Sequence, residues 1–221
     1  MKKSFVYAIA GLFYASVAVA QNSVSVLGSY QTSDGDPGMG ILGRYQYDVK
    51  PDDSSLRVLI QAGRLTGFGE ESAYVSDNGM YQERDALELD VTAIETAVLW
   101  DFLNRSGWAG YAGVGAGYYI PDISRSYGVT ESYDLVDVET GTEIEADNAI
   151  GFFALVGVEK KLGEHWALFG EVRYTAVKID YTITESWEAS TDYFSIGYEY
   201  ESEGEYDLTG INGAVGIAYR W

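Results

Sequence analysis

From Gly213 to Trp221 large apolar residues alternate with small or polar ones. Val215, Ile217, Tyr219 and Trp221 share one face, while Ala214, Gly216, Ala218 and Arg220 share the other. A strand has period 2, so the two sets lie on opposite sides of a sheet. A soluble sheet turns its bulky face inward and its charges to water. Here Arg220 shares its side with residues so small that this side must be crowded, and the bulky side ends on an interface-favouring Trp. The pattern predicts a strand with lipid outside and a tight polar interior.

The same alternation predicts eight strands, at about 22–31, 39–50, 55–66, 85–102, 108–120, 148–160, 165–183 and 205–221. Their connections alternate in length. Those near 51–54, 103–107 and 161–164 are short, whereas 32–38, 67–84, 121–147 and 184–204 are mostly long. Short periplasmic turns, long surface loops and an even strand count are the expected asymmetry of an outer-membrane barrel. The expected fold is all-β: an eight-stranded antiparallel up-and-down transmembrane β-barrel, a single domain over 21–221.

Charge follows the same division. Segments 31–38, 67–84, 121–147 and 184–207 hold 22 acidic residues against Arg84 and Arg125, while the rest of the chain beyond residue 20 holds 12 acids against 10 Lys and Arg. Nearly all the acidity thus belongs to one side of the predicted membrane, and its sign argues against a nucleic-acid partner. Trp100, Trp108, Trp166 and Trp221, with Phe102, all fall in the outward phase near the short turns, as a periplasmic aromatic girdle would.

An eight-stranded barrel is just wide enough for its own side chains to fill. The inward phase contains Arg44, Gln46, Asp48, Arg57, Gln61, Glu95, Asp101, Glu171, Arg173, Asn212 and Arg220. Arg44, Arg57, Arg173 and Arg220 balance Asp48, Glu95, Asp101 and Glu171, as buried charges require. Gly113, Gly115 and Gly117 on the same side leave room for them. The expected role of this network is a structural plug rather than a proton or ion path. A phase switch is expected near Val91–Ala93, which makes Glu95 the least secure member.

Residues 1–20 read as a cleaved export signal. Lys2 and Lys3 precede an apolar run from Phe5 to Val17, and Ala18-Val19-Ala20 offers a small-x-small cleavage site. No later run is apolar enough for a membrane helix. Cysteine is absent, Gly numbers 26 and Tyr 19, against 3 Pro, a composition suited to long strands with tight interiors. The single histidine, His165, falls in a short turn with no nucleophile placed to meet it, so no enzymatic activity is expected. GVGAG at 113–117 lies within a strand and opens no helix, so it is no phosphate cradle, and no cofactor is expected.

The stretches YAGVGAGYY (111–119), FALVGVEKKLGEHWALFGEVRYT (153–175) and GIAYRW (216–221) resemble the small outer-membrane β-barrel family typified by the OmpA transmembrane domain and the opacity-type surface proteins. The resemblance implies a monomeric barrel in the outer membrane. It also implies that the terminal aromatics, Tyr219 and Trp221, are read by the barrel-assembly machinery. Architecture alone gives no function. The expected role is envelope structure and surface interaction through acidic, Tyr-rich loops, including Tyr127, Tyr133, Trp187, Tyr193, Phe194, Tyr198 and Tyr200. The alternatives are a narrow porin-like channel for small solutes and a surface adhesin or receptor. Glu199, Glu201, Glu203, Glu205 and Asp207 recur at every second position. An extended backbone puts all five on one face, where divalent cations could bridge them to lipopolysaccharide phosphates.

Overall fold

A computed structural model describes residues 22–32, 37–49, 56–75, 82–130, 137–190 and 195–221. The expected leader, the turn at 51–54 and the side chains of Arg84, Tyr127, Tyr133, Tyr193 and Phe194 lie outside the described set. Within it the chain forms β1 (Asn22–Gln31), β2 (Gly38–Asp48), β3 (Leu56–Val75), β4 (Gln82–Arg105), β5 (Trp108–Thr130), β6 (Asp137–Ala146), β7 (Ala149–Lys161), β8 (Trp166–Ala176), β9 (Lys178–Ser190), β10 (Ser195–Asp207) and β11 (Gly210–Arg220).

Eight of these close a barrel in the order β1-β11-β8-β7-β5-β4-β3-β2. Each neighbouring pair is antiparallel, and β1 pairs with both β11 and β2 to complete the ring. The outer wall is an apolar band in which Val215, Ile41, Ile150, Phe152 and Val114 are exposed. Closure removes every edge within this band, so the backbone is satisfied without water. At the short-turn end Trp100, Phe102, Trp108, Trp166 and Trp221 all point outward. Tyr219 lies between Trp166 and Trp221, with ring centroids 5.1 and 6.2 Å away. The β4–β5 turn there is only two residues long. Ser106 and Gly107 both have positive φ, 53° and 77°, the conformation that matches strand twist in a tight hairpin.

The opposite end departs from the expected loops. Among the described residues the second, third and fourth long segments are largely strand: β3 runs on to Val75, β4 starts at Gln82, β5 runs on to Thr130, and β6, β9 and β10 form a separate three-stranded sheet in the order β10-β9-β6. The predicted strands 165–183 and 205–221 each divide, at Val177 and at Leu208–Thr209. Their pairing register is nonetheless preserved across the bend. Gly210 faces Thr175 below it, and Asp207 faces Lys178 above it. The outer sheet is therefore a bent continuation of the wall built by β7, β8 and β11.

Burial explains the bend. Val177, Ile179, Tyr206 and Leu208 turn inward and pack with Phe68, Leu89 and Val91 in one apolar cluster, flanked by Leu87, Ile123 and Tyr181. The outer sheet thus closes over the extended β3–β4–β5 wall as one layer of a small sandwich. β3 meets this cluster through a bulge between Leu65 and Phe68, where Gly67 takes φ of 90°. The extra residue keeps both Leu65 and Phe68 facing the interior.

Candidate functional site

The barrel interior holds two linked ion-pair clusters. In the upper one Arg44 crosses the lumen to Glu171. Its two terminal nitrogens donate to the two carboxylate oxygens at 2.9 and 2.6 Å, and its Nε donates to Gln61 at 2.9 Å. Arg173 donates to Glu95 at 2.5 Å and to Glu171 at 3.4 Å. Gln61 also donates to Glu95. The four charged side chains are almost fully buried. Bidentate, charge-assisted geometry of this kind offsets the large desolvation cost of burying charge.

Two tyrosines complete this cluster. Tyr119 donates to Glu95 at 2.7 Å, and Tyr111 donates to Glu171 at 3.2 Å. Glycines make room for both rings: a Cβ at Gly157 would collide with Tyr111, and one at Gly117 would press on Tyr119 and Glu95. Arg44, Arg57 and Arg173 also lie over the rings of Phe169, Tyr111 and Phe153, at 4.9, 4.9 and 4.2 Å. Each cation therefore has an aromatic face as well as a carboxylate. Beside Glu95, Glu171 and Arg173 the lumen retains a cavity of about 10 Å³, about one water in size.

The lower cluster sits near the short-turn end. Arg57 pairs with Asp101 and lies 3.6 Å from Glu159, while Arg220 donates to Glu159 at 2.6 Å. Asp48 is half-buried beside Arg57 in the β2–β3 register. All eight residues expected in the network, Arg44, Asp48, Arg57, Glu95, Asp101, Glu171, Arg173 and Arg220, thus face the interior. Two corrections follow. Val91, Ala93, Glu95, Ala97 and Leu99 are all buried, so β4 has no phase switch near Val91–Ala93 and Glu95 is central to the upper cluster. Glu159 is a fifth carboxylate that the expected balance omitted. It shares its phase with Gly157 and Leu155, as Tyr119 does with Gly117, so strict alternation along these strands carried the signal.

His165 lies at the short-turn end, with Nδ1 3.0 Å from the Arg220 carbonyl oxygen and its ring stacked on Tyr219 at 5.5 Å. These contacts tie the β7–β8 turn to β11.

The outer sheet has two unlike faces. On one, Glu199, Glu201, Glu203, Glu205 and Asp207 of β10 stand in register with Ser186, Thr184, Thr182, Asp180 and Lys178 of β9. Glu143 and Glu145 of β6 continue the same face. The phase is the one that becomes lipid-facing at Val215 and Ile217, with no bulge between. Lys178 donates to Glu205 at 2.6 Å and lies 3.9 Å from Asp207. Hydrogen bonds from Thr209 hold the Asp207 carboxyl below its ordinary pKa, and Lys178 adds to the effect. Among the described residues no three carboxylates or imidazoles gather closely enough to hold a metal ion, because alternate positions on an extended strand stand about 6.5–7 Å apart. The other face carries Tyr206, Tyr200 and Tyr198 opposite Ile179, Glu185 and Trp187, with Ile196 beyond them. Arg125 of β5 donates to Glu185 across the sandwich.

No family model and no curated protein matches the chain. Among solved structures, the outer membrane protein OprG from Pseudomonas aeruginosa aligns with a TM-score of 0.56 at 10% identity, over 92% of this chain and 96% of that one. The fold is that of a small outer-membrane β-barrel. Neisserial surface protein A aligns over 91% of this chain and 95% of its own, at 12% identity and a TM-score of 0.47. This barrel therefore shares an architecture with OprG while sharing little sequence. Closure of an eight-stranded sheet constrains where residues face far more than which residues they are.

Proposed function

We propose that this protein is a non-enzymatic outer-membrane barrel with a closed lumen, acting at the cell surface through its acidic, tyrosine-bearing outer sheet. The observation that carries this reading is the cross-lumen contact of Arg44 with Glu171, joined to the Arg173–Glu95 pair. These side chains meet where a solute path would run, and separating them leaves charge buried alone. The apolar outer wall, its aromatic girdle and the OprG-like fold support residence in the outer membrane. The terminal aromatics Tyr219 and Trp221 fit recognition by the barrel-assembly machinery. His165 is engaged near the aromatic girdle, away from the outer sheet, which supports a role without catalysis. The test is recording from the purified, refolded protein in planar bilayers. No large, steady conductance is expected, and a stable wide-pore conductance would overturn the closed-lumen reading in favour of a channel.

A further inference from the structure

β10 is an edge strand. Among the described residues it pairs with β9 alone, and β1, the next strand of the wall on its other side, ends at Gln31 below it. β1 leaves its partner near Ile211, where the Thr32 amide donates to the Ile211 carbonyl at 3.0 Å. All 13 residues of β10 lie above that point, about 40 Å of chain. Each edge strand directs half of its backbone N–H and C=O groups away from its sheet, and such a row is a template for another strand.

The upper part of this strand is also apolar on one face. Ile196, Tyr198 and Tyr200 are 57%, 57% and 53% exposed, and Trp187, paired with Tyr198, is 40% exposed. These residues lie beyond the apolar seam that holds the lower sheet to the barrel, so packing among the described residues does not account for them. A cluster of exposed aromatics marks a protein contact surface better than it marks a solvated face.

The odd positions decide what fits. An added strand would lay one set of its side chains beside Glu199, Glu201 and Glu203, and the other beside Ile196, Tyr198 and Tyr200. A second copy of β10 would set glutamates against glutamates, which is destabilising for cross-strand neighbours. The acidic row thus guards the edge against self-pairing while leaving it open to a complementary strand. The other edge strand, β6, has Ile144 as its single large aliphatic among the residues with described side chains. We propose that the free edge of β10 receives an extended protein segment in which cationic and apolar residues alternate, added as a fourth strand to the outer sheet.

The inference rests on the surface-interaction reading above, and it is tested on the full barrel in nanodiscs. The probes are three ten-residue peptides: one alternating Lys with Val, one of the same composition with all Lys preceding all Val, and one alternating Glu with Val. Affinity and amide hydrogen exchange of β10 are both read. The alternating Lys peptide is expected to bind at least tenfold more tightly than the block peptide and to slow exchange at every second β10 amide. The alternating Glu peptide is expected not to bind. The E199Q/E201Q/E203Q protein should lose affinity about tenfold and most of its salt dependence. The Y198S/Y200S protein should lose affinity while keeping its salt dependence. Equal affinity for the alternating and block peptides, or binding without slowed β10 exchange, overturns strand addition and reduces the contact to charge attraction. Bilayer recording on the same preparation separates the two readings. A conducting barrel that still adds a strand defeats only the closed lumen, and a silent barrel that adds none defeats only the edge.

Discussion

Arg44 and Glu171 lie 127 positions apart in the chain, and their side chains meet across the lumen through two parallel hydrogen bonds. Their strands, β2 and β8, are separated in the wall by β1 and β11. The contact therefore exists only once the sheet has closed on itself. It ties barrel closure to charge neutralisation, since a ring that fails to close deprives Arg44 of its carboxylate and Glu171 of its bidentate partner.

This coupling predicts an asymmetry between single and double replacements. Arg44→Ala should destabilise the refolded barrel by about 3–5 kcal/mol, because Glu171 then loses its bidentate partner in a buried site. Replacing both residues with apolar ones of similar volume, Arg44→Met with Glu171→Leu, should cost less than the single change. Urea unfolding in lipid vesicles measures both, and a double variant weaker than the single one would contradict the account.

The tyrosines should grade below the arginines. Tyr119→Phe removes one hydrogen bond to Glu95, which keeps its contacts with Arg173 and Gln61, so a loss of about 1 kcal/mol is expected. Arg173→Ala should cost about 3 kcal/mol or more, since it uncovers Glu95 and part of Glu171. The same unfolding assay should return this order, and a larger effect from Tyr119→Phe would place the network's anchor elsewhere.

At the girdle, Trp221→Ala removes an interface anchor stacked on Tyr219. The amount of heat-modifiable protein in the outer-membrane fraction should fall far more than for Trp187→Ala, whose side chain projects from the outer sheet. Equal levels of the two variants would refute a role for the terminal aromatics in assembly.

At the bend, Ile179 is fully buried in the seam between the outer sheet and the barrel. Ile179→Ala is expected to cost about 2–5 kcal/mol locally. Because the barrel below is closed independently, the loss should show as faster protease cleavage within 178–207, with the heat-modifiable migration of the barrel unchanged. Unchanged cleavage would mean that the sheet is held by other contacts.

How much of this was legible in the chain differs between its two ends. Strict alternation, as in Gly213–Trp221 or Phe153–Glu159, determines which side chains face lipid and which face the lumen. Period 2 leaves only two choices, and a bilayer rejects one of them. The barrel, its girdle and the inward placement of Arg44, Glu171 and Arg173 follow from that alone. Which arginine meets which carboxylate does not, because partners such as Arg44 and Glu171 are set by strand order and stagger around a closed ring. The outer sheet was hidden for a different reason. Residues 184–204 are so acidic and polar that they read as loop, and only tertiary packing reveals 184–190 and 195–204 as strand. Val177, Ile179, Tyr206 and Leu208 bury against Phe68, Leu89 and Val91 from distant strands, and that burial holds a charged hairpin in extended form where its own sequence would not.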